Sequence, residues 1–237
     1  MNTLQPMSKE HFFGTDEMGR DYLVRVIYGG RISLIIGVLA MITSVVIGVI
    51  VGVVAGYFGG IVDNLLMRIV DVFSAIPWII MVTVFALIFK KGLLSIIFVI
   101  GLFSWMEIAR MVRAETLSLR EREYVQYAEF IGIARYKIML HHVIPSVFPT
   151  IITAGTAAIA NAIMTESALS FLGLGVSQPM SSWGSLLQSS QQYLQQAPYI
   201  AVIPGILIIL TVYSFNKLGD VLRIYVEPKI TAGDKYE

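Results

Sequence analysis

Few side chains in this 237-residue sequence are suited to covalent chemistry. It has no cysteine, which excludes disulfides, thiolate metal sites and cysteine nucleophiles. Its three histidines are His11, His141 and His142, and the last two are adjacent, so on a helix they point in different directions and no metal site is expected there. No Gly-x-x-x-x-Gly-Lys-[Ser/Thr] phosphate loop occurs. The sequence therefore predicts no catalytic set, no metal site, and no ATP or other cofactor bound by this chain itself.

The composition is that of an integral membrane protein. Hydrophobic residues make up 56% of the chain and charged residues 14%, with a mean hydropathy of +0.75. Soluble domains carry about 25% charged residues. The net charge of +1 gives no electrostatic reason to expect nucleic acid as a partner, so membrane lipid is the expected surrounding.

Five stretches are apolar enough to cross a membrane as helices, which takes about 20 residues for a hydrocarbon core of about 30 Å. We therefore expect an all-α integral membrane fold with five transmembrane helices. Pro77 lies inside the second stretch and should kink it. The predicted spans cover about 32–56, 65–89, 93 to beyond 106, 146–169 and 199–215.

Basic residues assign the two sides of the membrane, because loops rich in Lys and Arg stay in the cytoplasm. They place a loop at 110–145 and the tail at 217–237 in the cytoplasm, and the segment 1–31 and a neutral loop at 172–198 outside. The transmembrane domain is then 32–216. With no visible export signal, either the N-terminal tail crosses unaided or a further helix precedes it in a longer form of the chain.

Two features inside the spans have more than one interpretation. Glu166 is an acid deep in an apolar span, where it either makes a structural hydrogen bond or ion pair, or serves the translocation path or its gate. A stripe of small residues in the first span either packs two helices closely or forms a moving or pore-lining surface. That stripe is Gly48, Gly52 and Gly56.

A local ion pair is expected in the second span, between Arg68 and Asp71, which lie one turn apart.

The predicted cytoplasmic loop contains an amphipathic helix. Tyr124, Tyr127, Ala128 and Ile131 fall at i, i+3, i+4 and i+7, which gives one apolar stripe, and Gly132 then ends the helix. Such a helix either lies on lipid or docks in a groove of a partner protein. The acidic residues near the stripe disfavour anionic lipid.

The segment EYVQYAEFIG at 123–132 looks like the EAA loop of the ATP-binding-cassette (ABC) importer permeases. The family pattern is Glu-Ala-Ala, three residues, Gly, nine residues, then Ile, one residue and Leu-Pro. Ala128, Gly132 and Pro145 match this pattern in position. The departures from it are Gln126, Tyr127 and His142.

Further segments carry a closer resemblance, to the dipeptide, oligopeptide and nickel permeases. They are GTDEMGRD at 14–21, GRISL at 30–34, SFLGLG at 170–175 and SWG at 182–184. The resemblance runs over nearly the whole chain, and it points to the second, C-type permease of a heteromeric pair.

The resemblance implies a multi-pass permease of the bacterial or archaeal cytoplasmic membrane, in a family whose norm is six helices. There the EAA helix sits in a groove of an ATPase subunit and transmits its closure. It implies as partners a second permease, two ABC ATPase subunits that bind the ATP, and an extracellular or periplasmic solute-binding protein. At the matching positions, coupling to the ATPase would be carried by Glu123, Tyr124, Ala128, Ile131, Gly132, Arg135 and Pro145.

The expected function is passage of di- or oligopeptides through half of an ATP-driven import pathway. Nickel or a metal chelate is the alternative cargo within the family. A secondary transporter and a non-transporting membrane scaffold are the alternatives from other classes, although a secondary transporter usually shows internal repeats and more ionisable groups inside the membrane.

Overall fold

The computed structural model describes residues 3–89, 92–176 and 179–226, so residues 227–237 of the predicted tail lie outside it. Over the described residues the chain is almost entirely helical, and its one β-type contact is an isolated bridge between Thr15 and Asp21. The helices are α1 (Tyr22–Phe58), α2 (Gly60–Ser74), α3 (Trp78–Ile88), α4 (Leu93–Arg120), α5 (Glu123–Phe130), α6 (Arg135–Ile138), α7 (Ile144–Phe171), α8 (Trp183–Ser190) and α9 (Tyr199–Val226). The π-turn Met139–Val143 joins α6 to α7.

Four of the described helical segments are long and apolar enough to cross a membrane: α1, α4, the run Arg135–Phe171 that includes α7, and α9. A fifth crossing is available if α2 and α3 count together as one bent span. The predicted all-α membrane fold is confirmed, with up to five spans among the described residues.

The predicted second span at 65–89 is two helices rather than one. α2 ends at Ser74, α3 begins at Trp78, and the two are bent by 81°. Pro77 lies at the break, because its ring has no N–H to donate and clashes with the carbonyl one turn earlier. Its own carbonyl accepts the N–H of Ile80 at 2.9 Å, so the proline opens α3 instead of interrupting it.

Several predicted boundaries fall inside continuous helices. α1 already begins at Tyr22, α4 runs on to Arg120, and α9 extends to Val226. Hydropathy marks where a chain leaves lipid, but a helix can continue into water when its backbone hydrogen bonds are kept. The positions 31, 110 and 216 therefore mark changes of polarity within helices, and not their ends.

The chain forms two compact units, and the first, called the α8 unit, comprises residues 1–40, 82–100 and 159–215. Inside it the Tyr22 hydroxyl donates to the Ile200 carbonyl at 2.5 Å, and the Trp183 indole N–H donates to the Val26 carbonyl at 3.0 Å. The buried members of its apolar cluster are Tyr22, Val26, Trp183, Leu186, Ala197 and Ile200. The predicted loop at 172–198 thus contributes a packed helix, α8.

Local sequence explains why α8 starts where it does. The Ser182 hydroxyl accepts the Ser185 N–H at 3.1 Å, and the Ser185 hydroxyl accepts the Ser182 N–H at 2.8 Å. This reciprocal capping box satisfies two of the donors that a helix start leaves free.

The second unit, called the α5 unit, comprises residues 41–81, 101–158 and those from Asn216. Its buried cluster unites α1, α4, α5 and α7, with Val53, Val112, Val125 and Val147 among its members. Gly48, Gly52 and Gly56 lie directly against α4: a Cβ atom on each would stand 2.7 Å from Ile108 Cβ, the Ala109 carbonyl oxygen and Thr116 Cβ respectively. The stripe lets the two backbones touch.

Candidate coupling site

The centre of the candidate site is α5, an eight-residue helix with a sharp end. After its last residue, Phe130, the chain turns at Gly132, whose φ is +79°. The Ile133 N–H donates to the Ala128 carbonyl at 3.1 Å and the Gly132 N–H to the Glu129 carbonyl at 3.0 Å. These two bonds form a Schellman motif, which requires the left-handed backbone that glycine adopts without strain.

The apolar residues of α5 are divided between the inside and the outside of the chain. Val125 is 0% exposed and Ala128 4%, and both belong to the core of the α5 unit. Phe130 is 87% exposed and Tyr127 65%. Of the three predicted partner contacts, Ala128 is therefore already covered by this chain, whereas Tyr124 and Ile131 are exposed.

Phe130 is the residue of this surface that the sequence analysis missed. It lies three positions after Tyr127 and so shares its side of the helix. That spacing from Tyr127 was the signal that could have found it. We call the exposed apolar side chains Tyr127, Phe130 and Ile131 the α5 face.

Side-chain contacts fasten α5 to the ends of two long helices. The Tyr57 hydroxyl, near the end of α1, donates to Glu129 Oε1 at 2.6 Å. Tyr124 and Ser146, near the start of α7, have hydroxyl oxygens 3.3 Å apart. The predicted coupling residue Arg135 has its guanidinium carbon 5.9 Å from the centre of the Phe58 ring, within the range of a cation–π contact. Displacement of α5 would therefore pull on α1 and α7.

The start of α7 accommodates a proline through an irregular turn. Pro145, a predicted coupling residue, is the second residue of α7, directly after the π-turn Met139–Val143. A proline removes one helical hydrogen bond, and a π-turn is one way in which the backbone absorbs that loss. The Ser146 hydroxyl donates to the His142 carbonyl at 2.7 Å, a further contact within this turn.

Ion pairs join α4 to α2 within the same unit. Arg113 contacts Asp63 with two nitrogen–oxygen pairs, one of them at 2.6 Å, and Arg110 contacts Asp71 at 3.1 Å. The predicted pair between Arg68 and Asp71 is wrong, because Asp71 turns to α4 instead. Arg110 also donates to the Ser74 hydroxyl at 3.0 Å. Its contact with Asp71 is therefore favoured over the weak pair that Arg68 would form with Asp71 on the same helix.

Glu123, also a predicted coupling residue, is exposed in the first turn of α5, where the helix dipole favours an acid.

Glu166 occupies a sealed site in the α8 unit. It is 0% exposed, and its carboxylate accepts the hydroxyls of Ser170 and Ser182 at 2.5 Å each and of Ser33 at 3.3 Å. Ser33 Oγ also accepts the Trp183 N–H at 3.1 Å. The acid thus joins α1, α7 and the start of α8 through neutral donors, which is the structural role that the sequence left as one of two alternatives.

Three of the segments that carry the family resemblance meet at this acid. Ser33 comes from 30–34, Ser170 from 170–175, and Ser182 from 182–184. The close packing of the same segments is visible at Gly30, where a Cβ atom would stand 2.6 Å from the Trp183 ring. The sequence analysis recognised the segments separately, but 30–34 lies more than a hundred residues before the other two, and this distance hid their contact.

The fourth such segment, 14–21, is organised by Asp16. Its carboxylate is 1% exposed and accepts Arg20 Nε at 2.7 Å and Arg25 at 2.8 Å. Burial by itself would raise the pKa of Asp16, but hydrogen bonds from the Arg20 N–H, the two guanidinium groups and the Met18 N–H outweigh it and hold the pKa below its usual range.

The sequence matches a known transport family. The family described as "Binding-protein-dependent transport system inner membrane component" covers residues 48–232. The oligopeptide transport system permease protein OppC of Escherichia coli K12 is 41% identical over 229 residues, which are 97% of this chain and 76% of that protein. OppC of Bacillus subtilis is 38% identical over 97% of this chain and 75% of its own length. The glutathione transport system permease protein GsiD of Shigella flexneri is 42% identical over 94% and 74%.

Solved transporters share the fold at lower identity. A chain of the MetNI methionine ABC transporter in an inward-facing conformation gives a TM-score of 0.71 at 20% identity, covering 86% of this chain and 97% of that one. A chain from a crystal structure of an amino acid ABC transporter with histidines gives 0.65 at 14% identity, covering 85% and 94%.

The fold, the α5 loop and these matches define a transport permease of the inner membrane. The chain belongs to the family of binding-protein-dependent transport system inner membrane components, and within it to the dipeptide and oligopeptide ABC permeases. The resemblance stated from the sequence is thereby confirmed.

Proposed function

We propose that this chain forms half of a peptide import pathway and that the α5 face is its contact with a separate ATPase subunit. The partners are a second permease, two ABC ATPase subunits that bind and hydrolyse the ATP, and an external solute-binding protein. Peptides are the proposed cargo because relatives at 38–42% identity are oligopeptide, dipeptide and glutathione permeases.

The single observation that carries the proposal is the exposed apolar end of α5. Phe130 is 87% exposed and Ile131 54%, on a helix whose other side is packed into the core. Large apolar side chains presented together on a short helix favour docking in a protein groove.

Lipid is the less suitable occupant of this face. Helices that lie on membranes carry Lys and Arg on their polar side, because the cytoplasmic leaflet is anionic. α5 has the sequence EYVQYAEF, with Glu123 and Glu129 and no basic residue. Its charge therefore opposes an anionic membrane surface.

The attachments of α5 suggest how the coupling would work. Tyr57 and Ser146 hold α5 to the end of α1 and the start of α7, so a partner that moved α5 would move both helices. The loop lies in the cytoplasm by the distribution of basic residues, which is the side on which ATP is available.

The experiment compares Phe130→Ser with Phe12→Ser in the full complex, reconstituted in vesicles with both permeases, the ATPase subunits and the binding protein. Phe12 is 68% exposed and belongs to the α8 unit, so it is a matched control. We expect Phe130→Ser to lower ATP-driven peptide uptake about tenfold or more, as for a central contact residue, and Phe12→Ser to leave it nearly unchanged.

Equal uptake by both variants would contradict the docking role. Uptake by vesicles that lack the ATPase subunits would instead support a secondary transporter.

A further inference from the structure

A cleft in the α8 unit is lined by Arg31, whose guanidinium forms no ion pair with an acid of the described residues. It has a volume of about 350 Å³, within the range of small-molecule sites. One wall is a side of α1 with Tyr28, Arg31 and Ile35, and the other is the short stretch before α8 with Met180 and Ser181.

The two arginines of α1 differ in their surroundings. Arg25 lies 2.8 Å from Asp16 and 3.8 Å from Glu17, so its charge is matched within the chain. Arg31 is exposed, and no acid of the described residues lies within ion-pair distance of it. Arg31 lies at the polar boundary of the first predicted span, so its exposed guanidinium is accessible to an anion that reaches this end of α1.

Hydrogen bonds hold the chain directly after the second wall of the cleft. The stretch carrying Met180 leads into Ser182 and Trp183, which are tied to Glu166 and Ser33 at 2.5 and 3.1 Å. Trp183 also donates to the Val26 carbonyl, one turn before the cleft on α1. A preformed cleft loses little conformational entropy when a ligand binds.

We infer that this cleft is an oxyanion site, in which Arg31 receives the terminal carboxylate of a peptide in transit and Met180 and Ile35 contact its side chains. This inference rests on the proposed function. Peptides differ in their side chains, but each has a terminal carboxylate. A fixed positive charge in a path for many peptides can therefore match that terminus in all of them. Arginine binds a carboxylate through two parallel hydrogen bonds, and methionine adapts to varied apolar shapes.

The experiment uses the same reconstituted complex with two probes, trialanine and its C-terminal amide. Binding of each probe to the isolated solute-binding protein is measured separately, since that step is identical for every permease variant. The variants are Arg31→Gln, Arg31→Lys and the matched control Arg68→Gln, which removes an exposed cation of α2 far from this cleft in sequence.

We expect Arg31→Gln to lower trialanine uptake about tenfold, the loss of one charge-assisted contact, while uptake of the amide is unchanged. Arg31→Lys should fall between wild type and Arg31→Gln, because it keeps the charge but not the paired geometry. Arg68→Gln should not alter the ratio of the two probes. An equal loss for both probes, or no loss with Arg31→Gln, would overturn the inference.

A lipid phosphate is the other source of the same chemistry, and lipid composition separates the two. Vesicles of phosphatidylcholine are compared with vesicles that also contain phosphatidylglycerol. If Arg31→Gln impairs both probes equally and only when phosphatidylglycerol is present, the oxyanion is a lipid headgroup and the peptide assignment is overturned. If no variant, including wild type, imports either probe in any vesicle, the proposed function fails instead.

Discussion

The surroundings of Glu166 and the surface of α5 differ in how far this chain covers them. Around Glu166 each carboxyl oxygen has a hydroxyl partner from the same chain, and the residue is 0% exposed. On α5 the chain covers Val125 and Ala128 but leaves Phe130 almost fully exposed. A buried group whose hydrogen bonds are all made within the chain stabilises the fold. An exposed apolar surface is removed from water only when a partner binds to it. Mutations in the two regions should therefore have different consequences.

The largest effect on stability is expected at the buried acid. Glu166→Ala would leave buried Ser170 and Ser182 hydroxyls without their acceptor and would open a cavity, at a cost of about 3 kcal/mol. Thermal unfolding of the purified chain in detergent measures this loss. Glu166→Gln keeps the volume and one acceptor oxygen, so its unfolding temperature should lie between those of wild type and Glu166→Ala. An unchanged unfolding temperature for Glu166→Ala would show that the hydrogen bonds of Glu166 do not stabilise the fold.

A smaller effect on stability, with a large effect on coupling, is expected at Gly132. Nothing lies within 4 Å of a Cβ atom built there, so the cost of Gly132→Val comes from the backbone at φ +79° and is about 1–2 kcal/mol. Because the strain falls at the end of α5, ATP hydrolysis should continue while peptide uptake per ATP declines.

The control at this position is Gly132→Asn, since asparagine tolerates the left-handed conformation better than a β-branched residue. If valine and asparagine gave the same uptake per ATP, the Schellman turn would not be what holds α5 in position.

The smallest expected effect concerns the pH dependence of the segment before α1. The folded pKa of Asp16 lies below its ordinary value of 3.8, so its ion pairs contribute stability above that value and lose it as the pH falls through the folded pKa. The gain is about 1 kcal/mol or less, because Arg20 is 41% exposed to competing water. Unfolding temperatures of wild type and Asp16→Asn should differ at pH 6 and converge in stronger acid. A constant difference across that range would contradict the assignment.

Local pattern predicted the membrane fold because lipid imposes a simple rule. Every backbone polar group in the hydrocarbon must bond within the chain, so long apolar runs become helices, and their positions could be read directly. The break at Pro77 and the turn at Gly132 were readable for a similar reason, since each depends on the backbone chemistry of a single residue.

Helix ends were harder to predict, because a helix leaving lipid changes its polarity without changing its hydrogen bonding. The stripe on α5 was also only partly readable. Periodicity places Ala128 and Tyr127 together on one side, but a small side chain fits the core whereas the tyrosine remains 65% exposed.

By itself the sequence determined the kind of protein, a helical membrane permease of the binding-protein-dependent transport family. Only the tertiary structure decided which residues meet. It paired Asp71 with Arg110 rather than Arg68, brought Ser33 and Ser182 to Glu166 beside its neighbour Ser170, and left Arg31 without an acid of the described residues beside it. Hydrophobicity and backbone preference act over a few residues and can be read along the chain, whereas hydrogen bonds and ion pairs depend on which helices pack side by side.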